Sequence, residues 1–286
     1  MTFKVLAATA ALTFAAASTA FAADTTFDRT LNVGSSPNLA VTTGSGYIHL
    51  HAGSDNQVHI AAHIRSNHGW MGGGDVDARI QQIVSNPPIV QSGNDISIGE
   101  SHNNDLYRNI SIDYDISLPR ASAIAATTGS GDVEIQDVGA SLKAQSGSGT
   151  VRAHGIKGPA TLGTGSGDIE LQQTGPGDVK AETGSGSIRL QGLSGALKAG
   201  TGSGDIEADG QPNTDWKLST GSGSIRLGVG SSARFNLDAD TGSGSINVAQ
   251  PITMQGSLNR HHVAGVVNGG GPTIRANTGS GDIQIR

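Results

Sequence analysis

A four-residue motif, Thr/Ser-Gly-Ser-Gly, occurs nine times in the 286 residues of the chain. From the second copy onward the copies are separated by 18, 18, 19, 18, 19, 21 and 37 residues. The first glycines of the motif are Gly44, Gly129, Gly147, Gly165, Gly184, Gly202, Gly221, Gly242 and Gly279. A repeat of this length indicates one small unit stacked many times. We interpret the last, double step as two periods with a degenerate copy around residues 259–271.

Short segments of alternating polar and apolar residues lie on both sides of the motif. Examples are Asp168-Ile169-Glu170-Leu171 after a copy and Leu197-Lys198-Ala199 before one. Alternation with a period of two is typical of a strand with one buried face. Two five-residue strands cover about 17 Å each, and the remaining eight residues can cross twice between faces ~10 Å apart. Each repeat is therefore predicted to be a closed coil of strand, Gly-Ser-Gly turn, strand and second turn.

The outward charges distinguish a parallel stack of coils from an antiparallel meander of hairpins. In successive repeats the outward residue after the motif alternates in sign: Glu134, Arg152, Glu170, Arg189, Glu207, Arg226. In a parallel stack these residues would be neighbours ~4.8 Å apart. Alternation then replaces a like-charge repulsion by a mild attraction. In a meander the alternation would have no cause, so we predict an all-β fold, a parallel β-helix with coils of about 18 residues.

Three segments are expected along the chain. Residues 1–22 have the features of a secretory signal peptide: Lys4, an apolar run and the pattern Ala20-Phe21-Ala22, with cleavage after Ala22. Residues 23–120 are expected to form a less regular β region, and residues 121–286 the regular coils. The spacing of Val76, Ile80, Ile83 and Val84 predicts a short helix over residues 75–84, which would cap the stack. The C-terminal strand, residues 282–286, is expected to leave an open edge suited to end-to-end self-association.

Composition excludes several classes of protein. The chain has no Cys, which excludes disulfides, thiolate metal sites and a Cys nucleophile. The formal net charge is -6, so we expect no basic surface and no nucleic-acid partner. No stretch beyond residue 22 is long and apolar enough to span a bilayer. An exported protein, in the periplasm or at the cell surface, is the expectation.

The turns resemble those of a known family. The sequences Gly129-Ser130-Gly131-Asp132-Val133 and Gly165-Ser166-Gly167-Asp168-Ile169, with a strand ending at Leu118-Pro119 before the first regular turn, are similar to the bacterial putative-adhesin domain of unknown function. That domain is related to the head domains (GIN-type) of auto-transporter adhesins, and the resemblance runs from about Phe27 to Arg286. It implies a right-handed β-solenoid at the cell envelope, associated with adhesion or envelope-stress responses. It implies no catalytic residues.

The candidate sites are few. His49 and His51 share one strand face, and a hairpin through residues 52–56 would place His59 opposite His49, a set able to bind Zn²⁺ or Cu²⁺. Solvent-exposed histidines are the alternative. The Gly-x-Gly-x-Asp turns resemble calcium loops, but Asp alternates there with Ser or Thr. Trp70 and Met71 lie in a Gly-rich loop and are candidates for partner contact, or Trp70 packs under the helix. We expect no cofactor and no catalytic residue.

These observations favour a non-enzymatic, exported solenoid that acts in adhesion or cell-envelope interaction, with an envelope protein or glycan as its partner. An envelope-stress sensor that regulates a membrane partner is one alternative. A polysaccharide-active β-helix enzyme is the other, and it would need paired carboxylates that the sequence alone does not identify.

Overall fold

The computed structural model describes residues 25–67, 73–99, 104–254 and 260–286. The helices are α1 (Gly73–Ser85) and α2 (Asn104–Tyr107). The strands are β1 (Thr25–Asn32), β2 (Asn38–Thr43), β3 (Ile48–Ala52), β4 (Gln57–Ser66), β5 (Ile89–Ser92), β6 (Asp95–Gly99), β7 (Ile110–Leu118), β8 (Ala123–Thr128), β9 (Val133–Gln136), β10 (Ser141–Ser146), β11 (Val151–Ile156), β12 (Ala160–Thr164), β13 (Ile169–Gln173), β14 (Val179–Thr183), β15 (Ile188–Leu193), β16 (Leu197–Ser203), β17 (Ile206–Gly210), β18 (Trp216–Ser222), β19 (Ile225–Gly228), β20 (Phe235–Thr241), β21 (Ile246–Val248), β22 (Ile252–Met254), β23 (His262–Val267), β24 (Thr273–Ser280) and β25 (Ile283–Ile285).

The strands form two long sheets, and the chain passes from one sheet to the other within each coil. Sheet 1 has the order β1-β4-β7-β3-β9-β11-β13-β15-β17-β19-β25-β21. Sheet 2 has the order β22-β23-β20-β24-β18-β16-β14-β12-β10-β8-β2-β6-β5. Equivalent strands of successive coils pair in parallel, with Ile169 beside Ile188 and Ile188 beside Ile206. The predicted parallel β-solenoid is confirmed.

The core is a narrow space between the two sheets, filled by one inward row of side chains after another. On sheet 1 a single row consists of buried Ile and Val from consecutive coils: Val133, Val151, Ile169, Ile188, Ile206, Ile225 and Ile283. Trp216 occupies an inward position of sheet 2, and its Nε1–H donates to the carbonyl of Gly195 at 3.0 Å. The outward residues of the same strands are half-buried or exposed.

The Thr or Ser of each motif links its own turn to the preceding coil. The Thr183 hydroxyl accepts a hydrogen bond from the N–H of Gly186 at 3.2 Å and donates one to the carbonyl of Gly167 at 2.9 Å. Bonds of the second kind recur at Thr128, Ser146, Thr164, Thr201, Thr220, Thr241 and Thr278. The bond within the turn is local to one copy of the motif. The bond to the neighbouring coil is visible only once the coils are stacked.

Replacing the buried hydroxyl of Thr164 by a methyl group is expected to destabilise the protein. The hydroxyl donates to the Gly149 carbonyl at 2.7 Å and accepts from the Gly167 N–H at 3.2 Å. Thr164→Val keeps the shape but leaves both backbone groups without this partner, at a cost of about 1–3 kcal/mol. Urea unfolding measures the loss. Thr161→Val, on the outward side of the same strand, is the control, and an equal loss in both variants would contradict the assignment.

At both ends of the solenoid the order of coils in space differs from their order in the chain. Near the N terminus the coil of β6 and β7 lies outside the coil of β2 and β3, because β2 pairs with both β6 and β8, and β3 with both β7 and β9. At the other end β24 and β25 are inserted between the coil of β18 and β19 and the coil of β20 and β21. At each end, therefore, the chain first forms one coil, then places another on the outer side of the stack, and then adds a coil on the inner side.

Two sequence predictions about the C-terminal end are wrong. Strand β25 is an interior strand of sheet 1, so residues 282–286 do not form an open edge. The region between the last two motifs is not a degenerate coil, because β22 and β23 turn back antiparallel, with β23 against β20. The last strands of the sheets are β21 and β22, both of three residues, and such short edge strands limit pairing with other chains. Self-association at the C-terminal end would have to use β21 and β22.

Helix α1 lies at the N-terminal end of the stack, as predicted. Its residues Val76, Ile80 and Ile83 are buried, and the helix contacts β1 and β4. The helix ends before Pro87, which cannot continue it. Arg79 joins α1 to α2 by donating to the carbonyls of Asp105 and Arg108, both at 2.8 Å. Within the described ranges, neither helix is both long and apolar enough to cross a membrane.

Candidate functional site

The outer face of sheet 1 carries a row of alternating charges, which we call the alternating row: Glu134, Arg152, Glu170, Arg189, Glu207 and Arg226. The register places each of these residues directly beside the next, as predicted. Arg189 Nε lies 3.2 Å from a carboxylate oxygen of Glu207. Arg226 and Arg152 instead approach Asp205 at 2.9 Å and Asp132 at 3.7 Å. The row is therefore neutral overall, and each of its arginines lies near a carboxylate, Arg189 within the row and Arg226 and Arg152 just outside it.

Reversing one charge of the alternating row is expected to cost little. Arg189 and Glu207 are 57% and 40% exposed, and ion pairs this exposed contribute about 1 kcal/mol or less. Arg189→Glu would place three carboxylates side by side in low salt, and 1 M NaCl should remove most of the loss. Thermal melting at both salt concentrations measures it. A loss several times larger, or one that salt leaves unchanged, would contradict the exposed position of the row.

Aspartates precede every second strand of sheet 1 in the regular coils and accept hydrogen bonds from the next coil. Asp132, Asp168 and Asp205 each accept a hydrogen bond, at 2.8 Å, from the backbone N–H of the equivalent residue in the next coil. The donors are Thr150, Ser187 and Ser224. The position thus holds Asp in one coil and Thr or Ser in the next. The bond from Ser224 and, second, that from Arg226 lower the pKa of Asp205. The aspartates that resemble calcium ligands in the sequence thus accept hydrogen bonds from backbone N–H groups of the next coil.

The lowered pKa of Asp205 makes a prediction about acid stability. Because the folded-state pKa lies below the ordinary value of about 3.9, the contribution of this carboxylate is present above pH ~4 and is lost as the pH falls through the folded-state value. Asp205→Asn keeps a side-chain oxygen that can accept the hydrogen bond from the Ser224 N–H, but it removes the charge. We expect wild type to melt at a higher temperature than the variant at pH 7, with the gap narrowing as the pH falls below about 4. A gap that stays constant would contradict this.

The outer face of sheet 2 differs, because its charges do not alternate. Lys143, Lys180, Lys198, Lys217 and Arg275, which we call the basic row, occupy equivalent positions of five strands, and the last four are direct neighbours. Glu182 binds Lys198 at 2.8 Å and Lys180 at 3.0 Å, and these two lysines lower its pKa. Among the described residues, no carboxylate lies within 4.0 Å of Lys143 or Lys217. The expectation of no basic surface is therefore wrong, since a net charge averages over faces that differ.

The basic row continues into a shallow apolar depression of about 430 Å³ on the same face. Along the row, Lys143 is followed by Ala125 and Ala40 toward the N-terminal end. The small side chains leave a hollow that is bordered by Val90, one of the few exposed large apolar residues. The same outward position of successive sheet 2 strands thus holds apolar residues near the N-terminal end and basic residues further along.

The histidines do not form the predicted set. Strands β3 and β4 are not a hairpin pair, because β7 lies between them. His59 is therefore separated from His49 and His51 and lies 2.9 Å from Asp28. In its place Asp115 of β7 contacts both of the other histidines, His49 at 3.3 Å and His51 at 3.0 Å. Sequence reasoning missed Asp115 because it is more than sixty residues away in the chain.

The outward carboxylates of β7 and β17 have different surroundings. Asp113 is only 3% exposed although it points away from the core: it pairs with Arg65 and accepts the N–H of Tyr47 at 3.0 Å. Asp115 is held by its two histidines. Burial, and then the charge of Glu207, raises the pKa of Asp209. Asp113 and Asp115 are thus each engaged by cationic or imidazole groups and are not a free carboxylate pair.

Three of the predicted positions cannot be placed. Trp70 and Met71, the candidates for partner contact, and Ala22, the expected cleavage site, lie outside the described residues. Their roles stay predictions.

Residues 54–286 match the model of the Toastrack DUF4097 family. The chain belongs to this family. The match covers far more than half of the sequence and includes all the regular coils, so the resemblance carried by the Gly-Ser-Gly turns is confirmed. No curated protein matches the sequence.

Two solved structures are similar to this Toastrack chain. One is a putative cell adhesion protein from Clostridium sporogenes, with 12% identity and a TM-score of 0.26, covering 92% of this chain and 99% of the other. The second is a putative adhesin from Bacteroides fragilis, with 13% identity and a TM-score of 0.30, covering 93% and 99%. Similarity at these values carries no functional conclusion.

Proposed function

We propose that the protein is an exported, non-enzymatic β-solenoid that acts in adhesion or cell-envelope interaction by binding an acidic glycan along the basic row of sheet 2. The observation that carries the proposal is the unbroken run Lys180, Lys198, Lys217 and Arg275 on neighbouring strands. Export rests on the signal peptide predicted for residues 1–22. Membership of the Toastrack family is compatible with both.

Part of the basic row has an energetic cost that the fold itself does not require. Glu182 pairs with Lys180 and Lys198, and Asp238 lies 3.7 Å from Arg275, whereas Lys217 between them has no such partner among the described residues. Like charges directly opposite each other on neighbouring strands are destabilising by a few tenths to about 1 kcal/mol per pair. Sheet 1 of the same solenoid avoids this cost by alternating its signs from coil to coil. A polyanion bound along sheet 2 would supply the missing counter-charges and turn the repulsion into attraction.

The geometry suits an extended polymer rather than a compact ligand. The cations project from one face of a single sheet, and neighbouring strands are ~4.8 Å apart. Because the strands hold these positions before binding, little ordering of the backbone accompanies association. Lys143 and Lys217 have no acidic partner among the described residues, so they are available at once. Lys180 and Lys198 would exchange the carboxylate of Glu182 for an acidic group of the glycan.

The test compares two faces of the same protein. The mature chain, a Lys143→Gln/Lys180→Gln/Lys198→Gln/Lys217→Gln variant and an Arg152→Gln/Arg189→Gln/Arg226→Gln control are assayed for binding to polygalacturonate, heparin and neutral dextran. We expect wild type and the control to bind the two polyanions, with at least a tenfold loss in the lysine variant. Dextran should not bind, and binding should weaken between 50 and 200 mM NaCl. Circular dichroism melts check that both variants fold.

Several outcomes would overturn the proposal. Equal losses in both variants would mean that binding does not use sheet 2. Release of reducing ends or unsaturated products from the bound polymer would show an enzyme. Capture of one envelope protein, with no affinity for either polyanion, would replace the glycan by a protein partner.

A further inference from the structure

We infer that His49, His51 and Asp115 form a binding site for a divalent transition-metal ion, with Zn²⁺ as the expected ion, on the outer face of sheet 1. The three residues come from two neighbouring strands, β3 and β7, whose register places His49 beside Asp115. One ligand atom from each residue lies within 4.8 Å of the other two. Imidazole nitrogen and carboxylate oxygen are donors that Zn²⁺ accepts.

The distances between the donor atoms are close to those of a metal site. Zn–N and Zn–O bonds of about 2.0–2.1 Å in a tetrahedron place neighbouring ligand atoms about 3.3–3.4 Å apart. In the structure, Nδ1 of His49 lies 3.3 Å from Oδ2 of Asp115, and Nε2 of His51 lies 3.0 Å from Oδ1. The two rings are neighbours, with centroids 5.2 Å apart. The two contacts use the two different oxygens of Asp115, and one ligand atom from each of the three residues lies within 4.8 Å of the others.

The site is accessible, and the described strands on either side of it place no cation directly beside His49 or Asp115. The side chains of His49, His51 and Asp115 are 27%, 38% and 52% exposed. On one side, the residue opposite Asp115 is Ala61, whose methyl group offers no competing charge. On the other side, the residue beside His49 is Glu134, held by a 2.5 Å hydrogen bond from Gln136. Water could complete the coordination.

A metal at this position would join two coils that are far apart in sequence. Strand β3 belongs to the coil that stacks on the regular repeats, and β7 belongs to the coil outside it. An ion held by both would fasten the outer coil to the rest of the solenoid. An ion that binds only the folded chain stabilises it in proportion to the logarithm of its concentration over Kd. For a chain of this size, zinc at 100 times Kd should raise Tm by about 5–10 °C.

The experiment titrates ZnSO₄ into the untagged mature chain and follows binding by calorimetry and Tm by circular dichroism. Wild type should bind one Zn²⁺ with micromolar affinity. His49→Gln, His51→Gln and Asp115→Asn should each weaken binding at least tenfold. His59→Gln and His154→Gln are the controls: His154 lies two strands from His51 in the same outward row, and both variants should bind as wild type does.

A second measurement makes the result independent of variant stability. Co²⁺ in the wild-type site should give the visible absorption of a four- or five-coordinate ion, and this absorption should be lost on adding Zn²⁺. No binding by wild type at 1 mM Zn²⁺ would overturn the inference. A tenfold loss in the His59→Gln or His154→Gln control would also overturn it, because it would assign the ion to other histidines.

Discussion

Gly186→Ala is expected to prevent stable stacking of the coil in which it lies. A Cβ atom at this position would be 1.9 Å from the carbonyl oxygen of Gly167 and 2.4 Å from its carbonyl carbon. These are backbone atoms of the neighbouring turn, and a Cβ atom added at Gly167 would likewise clash with the carbonyl group of Gly149. The clash cannot be relieved by rotating a side chain, so we expect a loss of at least about 3 kcal/mol, the upper range for overpacked cores. Urea unfolding of the mature chain measures it.

Gly200→Ala is the matched control for this prediction. Gly200 is also in the repeat region, but it lies within strand β16, and the nearest atom to an added Cβ is the Ser219 hydroxyl at 3.7 Å. Alanine there reduces the conformational entropy of the unfolded chain. The expected result is a free energy of unfolding equal to or slightly above that of wild type. If both alanines had the same effect, close stacking would not be the reason for glycine in the turns.

Ile188→Asp is expected to unfold several coils of the solenoid. Ile188 is 1% exposed and lies between Ile169 and Ile206 in the inward row of sheet 1. A carboxylate there would be buried among apolar side chains without a partner, which costs far more than the loss of the isoleucine contacts alone. Because each coil is stabilised by its neighbours, the damage should spread beyond one coil. Circular dichroism should show a smaller strand signal and a melt at much lower temperature.

Gln191→Asp, an outward and exposed position of the same strand, introduces the same carboxylate without burial. We expect its melt to lie within a few degrees of wild type, since exposed substitutions usually change stability by less than about 0.5 kcal/mol. Retention of the full wild-type melt by Ile188→Asp would show that this position does not face the core.

The histidines show how far sequence reasoning reaches at the candidate metal site. The spacing of His49 and His51 correctly predicts two side chains on one face of a strand. The third member could not be predicted, because consecutive strands were expected to pair and β7 instead comes between β3 and β4. Asp115 enters the site through a pairing that spans more than sixty residues. Nothing local to either strand marks it.

The basic row shows a different kind of limit. The inward and outward positions of Lys180, Lys198 and Lys217 can be read from the alternation in each repeat. Their neighbours also follow from parallel stacking. The net charge of -6 does not show how the charges are distributed. Most acidic groups in the repeats lie on sheet 1 or at the turns. Arg275 joins the row only because β24 is inserted beside β18.

The amino-acid sequence alone determines the coil: its length, its two strands and its parallel stacking follow from alternation, glycine spacing and the signs of the charges. The spacing of the apolar residues likewise predicts the helix over residues 75–84. The order of the coils at the two ends was decided only by the tertiary structure. The reason is that coils with the same apolar alternation and the same Thr-Gly-Ser-Gly turn can occupy any position in the stack. The local pattern is equally satisfied by each arrangement, and only the connecting segments and the antiparallel strands β22 and β23 select one.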